Sequence, residues 1–366
     1  VKTTRLTTSE SLALDVIRVV ASAVVAFGHL TQSYFSTGWR DYTYLAQDSV
    51  AVFFVLSGFV IRYVTCRRAG TFGGYLSDRA SRIYSVAIPA LLFTALIVPI
   101  VLRYDPALYN SIPKSSGSTA YQLAINLAFL GQLPFHATEA LINLPYWSVT
   151  YEVAYYVLYG CFFYLSGKTR WLSLLFLALL AGTAVLYLFP LWIAGCITHD
   201  LYQRWNEEGT TLRNLLRATL ISVIALGIAI LLLKHFHLAG QLSHYRPSSV
   251  GDRLPITSYA FGGFSAIAFI AILSFARRFA ISSESTFVKV TRFISEGTFP
   301  LYLLHFPLLV LIAACIPYNH AAVIPKLAIF FFVLLAGILA GHPCNLLKDR
   351  LRNLFQYALS RPATSS

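Results

Sequence analysis

This chain is short of charge, short of acid and without methionine. Only 12% of its 366 residues are charged and 57% are hydrophobic, whereas soluble domains carry about twice that charge fraction. The pair of soluble domains that length alone would allow is thereby excluded. Asp and Glu total 15 and nowhere cluster, which argues against a metal-dependent membrane glycosyltransferase; no metal site is expected. Cys66, Cys161, Cys196, Cys315 and Cys344 lie far apart, mostly in apolar runs. That spacing supplies neither a disulfide framework nor a zinc site and suits buried thiols. Methionine is missing even at position 1; the residues give no physical account of this, and the natural start is expected to be altered or missing. No basic run alternates with exposed aromatics, so the net charge of +13 does not point to nucleic acid.

What the chain has instead is apolar runs of membrane-crossing length from end to end, with a mean hydropathy of +0.65. The expected fold is an all-α polytopic transmembrane bundle. Strong spans are expected at 12–34, 44–64, 84–104, 145–166, 170–188, 214–234, 256–276, 298–316 and 321–342, with weaker ones at 120–134 and 190–203. The first run contains Asp15 and Arg18, unlike a removable signal peptide. Arg67, Arg68, Arg79 and Arg82, the 277–292 loop, and Lys348, Arg350, Arg352 and Arg361 sit beside spans, and the positive-inside bias puts them in the cytoplasm. With both termini cytoplasmic the number of crossings is even. Taking 120–134 as re-entrant or surface-lying gives about ten; dropping 190–203 instead gives the same number but puts Lys168 and Arg170 outside. The expected layout is a cytoplasmic N-terminus (1–11), a membrane domain (12–345) and a basic cytoplasmic tail (346–366). The longest polar stretches are about 105–118, 204–212 and 235–255, the last holding His235, His237, His244, Arg246 and Arg253. None is long enough for a second folded domain.

Ionisable residues inside such runs are costly unless they face a protein interior or a wet cavity, so they are the first candidates for a site. Arg18 and His29 are eleven residues apart, which is about 20° past three helical turns and about 16 Å along the axis. Asp15, Arg18, Ser22 and His29 therefore share one face, and an imidazole there suits proton transfer to or from a hydroxyl. Arg79 and Arg82, at i and i+3 before a span, present two guanidinium forks suited to phosphate, although headgroup anchoring explains them equally well. Trp147, Ser148, Tyr151, Glu152, Tyr155 and Tyr156 form an aromatic stretch whose acid needs a partner. Tyr302 and His305 lie between Pro300 and Pro307, where His305 is as well read as a satisfied core histidine as a catalytic one. Ser57 and Gly58 suit close helix packing, while Asp48, nine residues earlier, needs a polar neighbour.

Taken in order, these segments resemble the acyltransferase-3 family over roughly residues 10–345. Arg18 and His29 fit its basic-x10-His element, and Asp48–Ile61 fits its Phe-Phe-Val-Leu-Ser-Gly signature. Arg79-Ala-Ser-Arg82 fits Arg-x-x-Arg. Trp147-Ser148 through Glu152 fits Trp-Ser-Leu-x-x-Glu-x-x-Phe-Tyr, with Val149 for Leu and Tyr155 for Phe; Tyr302-Leu-Leu-His305 fits Tyr-Leu-x-His. The acid often found before a proline near the end of the last span is missing from Gly341-His342-Pro343-Cys344-Asn345. No esterase-like domain follows, so the stand-alone form is expected.

The resemblance implies a bacterial inner-membrane enzyme that moves an acyl group, acetyl most simply, from cytoplasmic acyl-CoA to a hydroxyl of a saccharide or lipid-linked glycan. It implies His29 as general base and Arg79 and Arg82, helped by Arg18, as holders of the CoA phosphates. Asp15 or Glu152 would orient His29; Asp15 is about 21 Å away along the helix, which favours Glu152. Ser148 is the residue to hold an acyl intermediate if one forms, and His305 joins the catalytic set. Asp15, Asp48, Ser57, Gly58, Trp147 and Tyr302 support them. The alternative is a transporter or flippase using the same charged stripe; the absence of visible internal repeats counts mildly against it.

Overall fold

The computed structural model describes residues 5–39, 42–67, 70–134, 137–207, 220 and 257–360. Among them every regular element is helical: α1 (Thr8–Leu30), α2 (Thr43–Arg67), α3 (Phe72–Tyr104), α4 (Pro106–Ser111), α5 (Thr119–Leu127), α6 (Trp147–Tyr164), α7 (Gly167–Glu207), α8 (Thr257–Ala276), α9 (Thr286–Glu296), α10 (Thr298–Cys315), α11 (Val323–Leu339) and α12 (Gly341–Ser360). Local chemistry sets several starts. At α1 the Thr7 hydroxyl accepts from the Glu10 amide at 3.2 Å while the Glu10 carboxylate accepts from the Thr7 amide, a reciprocal cap. Thr71, Asp105 and Ser118 cap α3, α4 and α5 through their side-chain oxygens. Seven of the described helices are long and apolar enough to cross a membrane. Their outward faces are apolar too: Trp171, Leu172, Leu175, Phe176 and Leu179 of α7 and Ile324, Phe331, Phe332 and Leu335 of α11 are all exposed. A bilayer covers such faces at no cost, whereas water does not.

The chain forms two compact units. The first comprises Val1–Val25, Thr43–Ala69 and Tyr187–Ser295. Leu14 of α1, Val55, Leu56 and Phe59 of α2, Tyr202 of α7, and Phe269 and Leu273 of α8 make its core. Here α2 and α7 meet backbone to backbone. A Cβ on Gly58 would run into the Trp192 carbonyl, and one on Gly195 into that of Val55, so only glycine permits the approach. Beside that contact the Trp192 indole donates to Ser57 at 3.1 Å. Asp48 accepts from the Ser258 hydroxyl at 3.0 Å.

The second unit comprises Ala26–Tyr42, Gly70–Leu186 and Glu296–Ser366. Its spine is α3, whose 33 residues make a rod about 50 Å long, longer than a hydrocarbon core of about 30 Å. Helices α6, α10 and α12 pack along it. Leu30, Phe35, Ile97, Val101, Leu301, Phe306, Leu309 and Val310 are among its buried core residues.

Several expectations are corrected. Segments 170–188 and 190–203 are expected as two helices; α7 is indeed two helices running on from one another, but the kink between them lies at Gly182, where φ is 73° and ψ 177°, rather than at residue 189. That φ favours glycine, and a Cβ there would strike Pro134; Pro190 is absorbed within the helix that follows. Arg79 and Arg82 lie inside α3 rather than ahead of it, because the helix begins at Phe72. The supposed 277–292 loop contains the start of α9, whose Phe287, Val290 and Phe293 form an exposed apolar face. Residues 341–360 are helical and pack on α3 as α12, so the first fifteen residues of the expected tail are structured. Helix α5, in the weak segment 120–134, has nine residues, about 13 Å, and does not cross. The span expected at 214–234 and the polar stretch at 235–255 lie outside the described residues, apart from Leu220.

Candidate active site

The second unit gathers chemistry-bearing side chains from three helices. His29 occupies the last turn of α1, where the chain leaves the helix through turns closed by Gln32 N–H to the His29 carbonyl (3.1 Å) and Phe35 N–H to the Gln32 carbonyl (2.9 Å). On α10 the i, i+3 spacing sets Tyr302 and His305 on one face, with ring centroids 6.0 Å apart. The 3-10 turn Leu144–Tyr146 then delivers Ser148 in the first turn of α6.

The result is a contiguous chain of polar groups. The His29 and His305 rings lie 5.2 Å apart, tilted by 37°. Phe306 stands edge-on to His29 at 5.4 Å. Tyr302 and Ser148 share a 2.7 Å hydroxyl–hydroxyl hydrogen bond, and both also approach the Pro145 carbonyl, at 3.4 Å and 3.2 Å. One turn on from Ser148, Glu152 accepts the Tyr156 hydroxyl at 2.5 Å.

Both histidines keep a nitrogen without a protein partner. His305 is completely buried, and its Nδ1 lies 3.2 Å from the Leu301 carbonyl. A carbonyl cannot donate, so this contact holds the proton on Nδ1 and leaves the Nε2 lone pair bare. That Nε2 and His29 Nδ1 are buried without a hydrogen-bond partner. Such an orphan in an apolar interior is destabilising by about 1–3 kcal/mol, and functional sites are where that cost is tolerated. An imidazole with a bare lone pair, as at His305 Nε2, can take a proton from a hydroxyl and hand it on.

The two arginines on α3 are placed differently. Arg82 is exposed, whereas Arg79 is partly buried, with its guanidinium 6.0 Å above the Tyr75 ring and its Nε unpartnered. The acid beside them, Asp78, is taken by Arg352 of α12 at 2.8 Å. Asp78 is thereby paired with Arg352 rather than with Arg79 or Arg82. Among the described residues no three His, Cys, Asp or Glu side chains gather as metal ligands.

Other expected site residues belong to the first unit. Arg18 pairs with Asp15 at 3.2 Å, and Ser295 of α9 bonds both, at 2.8 Å to Asp15 and 3.3 Å to Arg18. Asp48, Ser57 and Gly58 serve the contacts of α2 already given. Trp147, in the second unit, stands edge-on to Tyr151 at 5.0 Å.

Sequence reasoning passed over several groups. Buried Asn143 donates to the Leu303 carbonyl at 2.9 Å, thereby fixing α10 between Tyr302 and His305. In the first unit Arg62 grips Asp200 through Nε and Nη2, each at 2.9 Å, and His199 meets the same carboxylate at 2.9 Å. Lys326 is buried in the apolar run of α11. The rule that singled out His305, an ionisable group inside a span, was enough to find Asp200 and Lys326.

Long apolar helices with apolar outward faces define the class as an integral membrane protein, here with two neighbouring histidines in its second unit. The particular family follows from comparison with known proteins. A family model described as an acyltransferase domain matches residues 11–342, and the chain belongs to that family, acyltransferase-3, as a membrane acyltransferase. No curated protein and no solved structure matches it.

Proposed function

We propose that this protein is an acyl-CoA-dependent O-acyltransferase of a bacterial inner membrane that acylates, most simply acetylates, a hydroxyl of a saccharide or lipid-linked glycan. The observation that carries the proposal is the His29–His305 pair, with bare nitrogens on both rings. Arg79 and Arg82 hold the phosphates of the donor from the cytoplasmic side, and the ion pair of Asp78 with Arg352 keeps an acid from competing with them. Arg18, already engaged by Asp15 and Ser295, is assigned to ordering α1 against α9 rather than to the phosphates.

In the transfer step His29 removes the proton of the acceptor hydroxyl as its oxygen attacks the thioester carbonyl carbon. His305 Nε2, next to it, shares the proton. The tetrahedral adduct collapses with cleavage of the C–S bond, and the imidazolium returns the proton to the departing thiolate. The products are ester and free thiol, so the base is regenerated without net proton uptake. The Tyr302 hydroxyl, held by Ser148, is the donor available to the developing oxyanion. Ser148 bonds a phenol and a carbonyl rather than an imidazole, which favours direct transfer over an acyl-serine.

The test is transfer of label from [14C]acetyl-CoA to a bacterial glycan extract by purified protein in nanodiscs. Acceptor-dependent labelling that is lost in His29→Ala supports the proposal. Acetyl-CoA that neither binds nor turns over, with longer acyl-CoAs equally inert, removes it.

A further inference from the structure

Lys326 is chemically out of place. It lies in an apolar helix, is fully buried, and has no carboxylate partner among the described residues. An ammonium withdrawn from water must find its partners elsewhere, and among the described residues they come from one short stretch. Its Nζ donates to the Ser36 hydroxyl at 3.3 Å and the Thr37 carbonyl at 3.1 Å, and sits 4.0 Å from the centre of the Trp39 ring. Two hydrogen bonds and a cation–π contact thus use the three ammonium protons.

That stretch leads straight out of the candidate site, since Ser36 follows His29 by seven residues. Other ties bind it to the same region. The Tyr318 hydroxyl donates to the Phe35 carbonyl at 2.8 Å, and the Thr37 amide donates to the His320 carbonyl at 2.9 Å. Phe35, wholly buried, stands edge-on to Phe306 at 5.6 Å, and Phe306 in turn stands edge-on to His29 at 5.4 Å. Trp39 lies 5.9 Å from Phe27, two residues before His29.

We infer that Lys326 is a positioning residue of the active site: it clamps segment 31–39 against the end of α1 and, through Phe35 and Phe306, fixes the His29 ring beside His305. An aliphatic side chain of similar length fills the same space but has no donors for the backbone and hydroxyl of 36–37. Without them Phe35 loses its register on Phe306, and the two imidazoles are free to separate. The catalytic part of this inference rests on the acyltransfer reading; the clamp itself does not.

The experiment compares wild type, Lys326→Met and Trp39→Leu, each full length in nanodiscs. Three quantities are followed: amide hydrogen exchange, acetyl-CoA binding, and label transfer from acetyl-CoA to a glycan extract. In Lys326→Met, exchange of 31–39 is expected to rise about tenfold or more, while α10 keeps wild-type protection. Turnover falls by a similar factor, and half-saturation by acetyl-CoA is unchanged. Trp39→Leu, which attacks the clamp from the loop side, shows the same pattern more weakly. Unchanged exchange in 31–39 overturns the clamp, as does a rise spread equally over α10 and α11. Wild-type turnover in both variants overturns the positioning role. If wild-type protein neither binds nor uses any acyl-CoA, the acyltransfer reading fails while the exchange data still decide the clamp.

Discussion

Replacing Ser148 by alanine separates two chemistries that use the same residue. Its hydroxyl bonds Tyr302 at 2.7 Å and lies 3.2 Å from the Pro145 carbonyl. When the hydroxyl is removed, Tyr302 still has that carbonyl at 3.4 Å, so no buried group is orphaned. The loss is then one neutral hydrogen bond, about 0.5–1.5 kcal/mol, which lowers the rate about 2- to 12-fold. Tyr302→Phe costs more, because it also removes the donor assigned to the oxyanion; such donors are worth about 100- to 1000-fold. In the double variant the Ser148 effect largely disappears, since its partner is already gone. A serine that carried the acyl group behaves differently: deleting a nucleophile costs about a millionfold. Initial rates of CoA release for the four proteins, with intact mass spectrometry of enzyme quenched during turnover, provide the comparison. Loss of more than about a thousandfold in Ser148→Ala, or an acetylated Ser148 peptide, refutes the direct-transfer mechanism.

Three further outcomes are expected. Arg82→Ala raises half-saturation by acetyl-CoA about 10- to 100-fold, the worth of one charge-assisted bond to phosphate, with turnover at saturation retained; titration calorimetry or donor-dependent rates check it. Arg352→Ala strips Asp78 of its partner and sets a bare carboxylate beside Arg79 and Arg82, so donor affinity falls several-fold in low salt and less in high salt. Gly195→Val forces α2 and α7 apart at the Val55 carbonyl, and its thermal midpoint in nanodiscs drops sharply, since overpacking costs about 1–3 kcal/mol or more; a midpoint equal to wild type contradicts the backbone contact.

The membrane class and helical fold were legible because lipid demands long apolar runs, and such runs survive in sequence whatever packs against them. The site was partly legible for a related reason: His29, Glu152 and His305 are costly in a span. Partnership was not legible. Nothing local says that Arg18 belongs with Ser295, or that His29 faces His305, because those contacts join residues far apart in the chain. Helix breaks were misplaced where a residue's usual meaning was overruled. The boundary between 170–188 and 190–203 falls instead at Gly182, where the left-handed φ and the nearness of Pro134 leave room only for hydrogen, and Pro190 lies within the helix that follows. Helix α6 shows the opposite effect. Its tyrosines dilute the apolar signal, yet Tyr151, Tyr155, Tyr156 and Tyr159 are all buried, with the Tyr155 hydroxyl satisfied by the Val185 carbonyl at 2.7 Å. The helix of 341–360 escaped notice because its charges suggested a solvated tail, whereas it packs along α3.

The central claim is that His29 and His305 together transfer the proton that lets a hydroxyl attack an acyl thioester. It is tested most directly by acceptor-dependent CoA release from acetyl-CoA in nanodiscs, run for wild type, His29→Ala, His305→Gln and the double variant. Acetyl-CoA binding is measured on each. The account predicts that either single change removes most of the release, that the double variant is little worse than His29→Ala, and that all four bind acetyl-CoA alike. Full release by His29→Ala, or losses that multiply as if the two histidines acted independently, contradicts it.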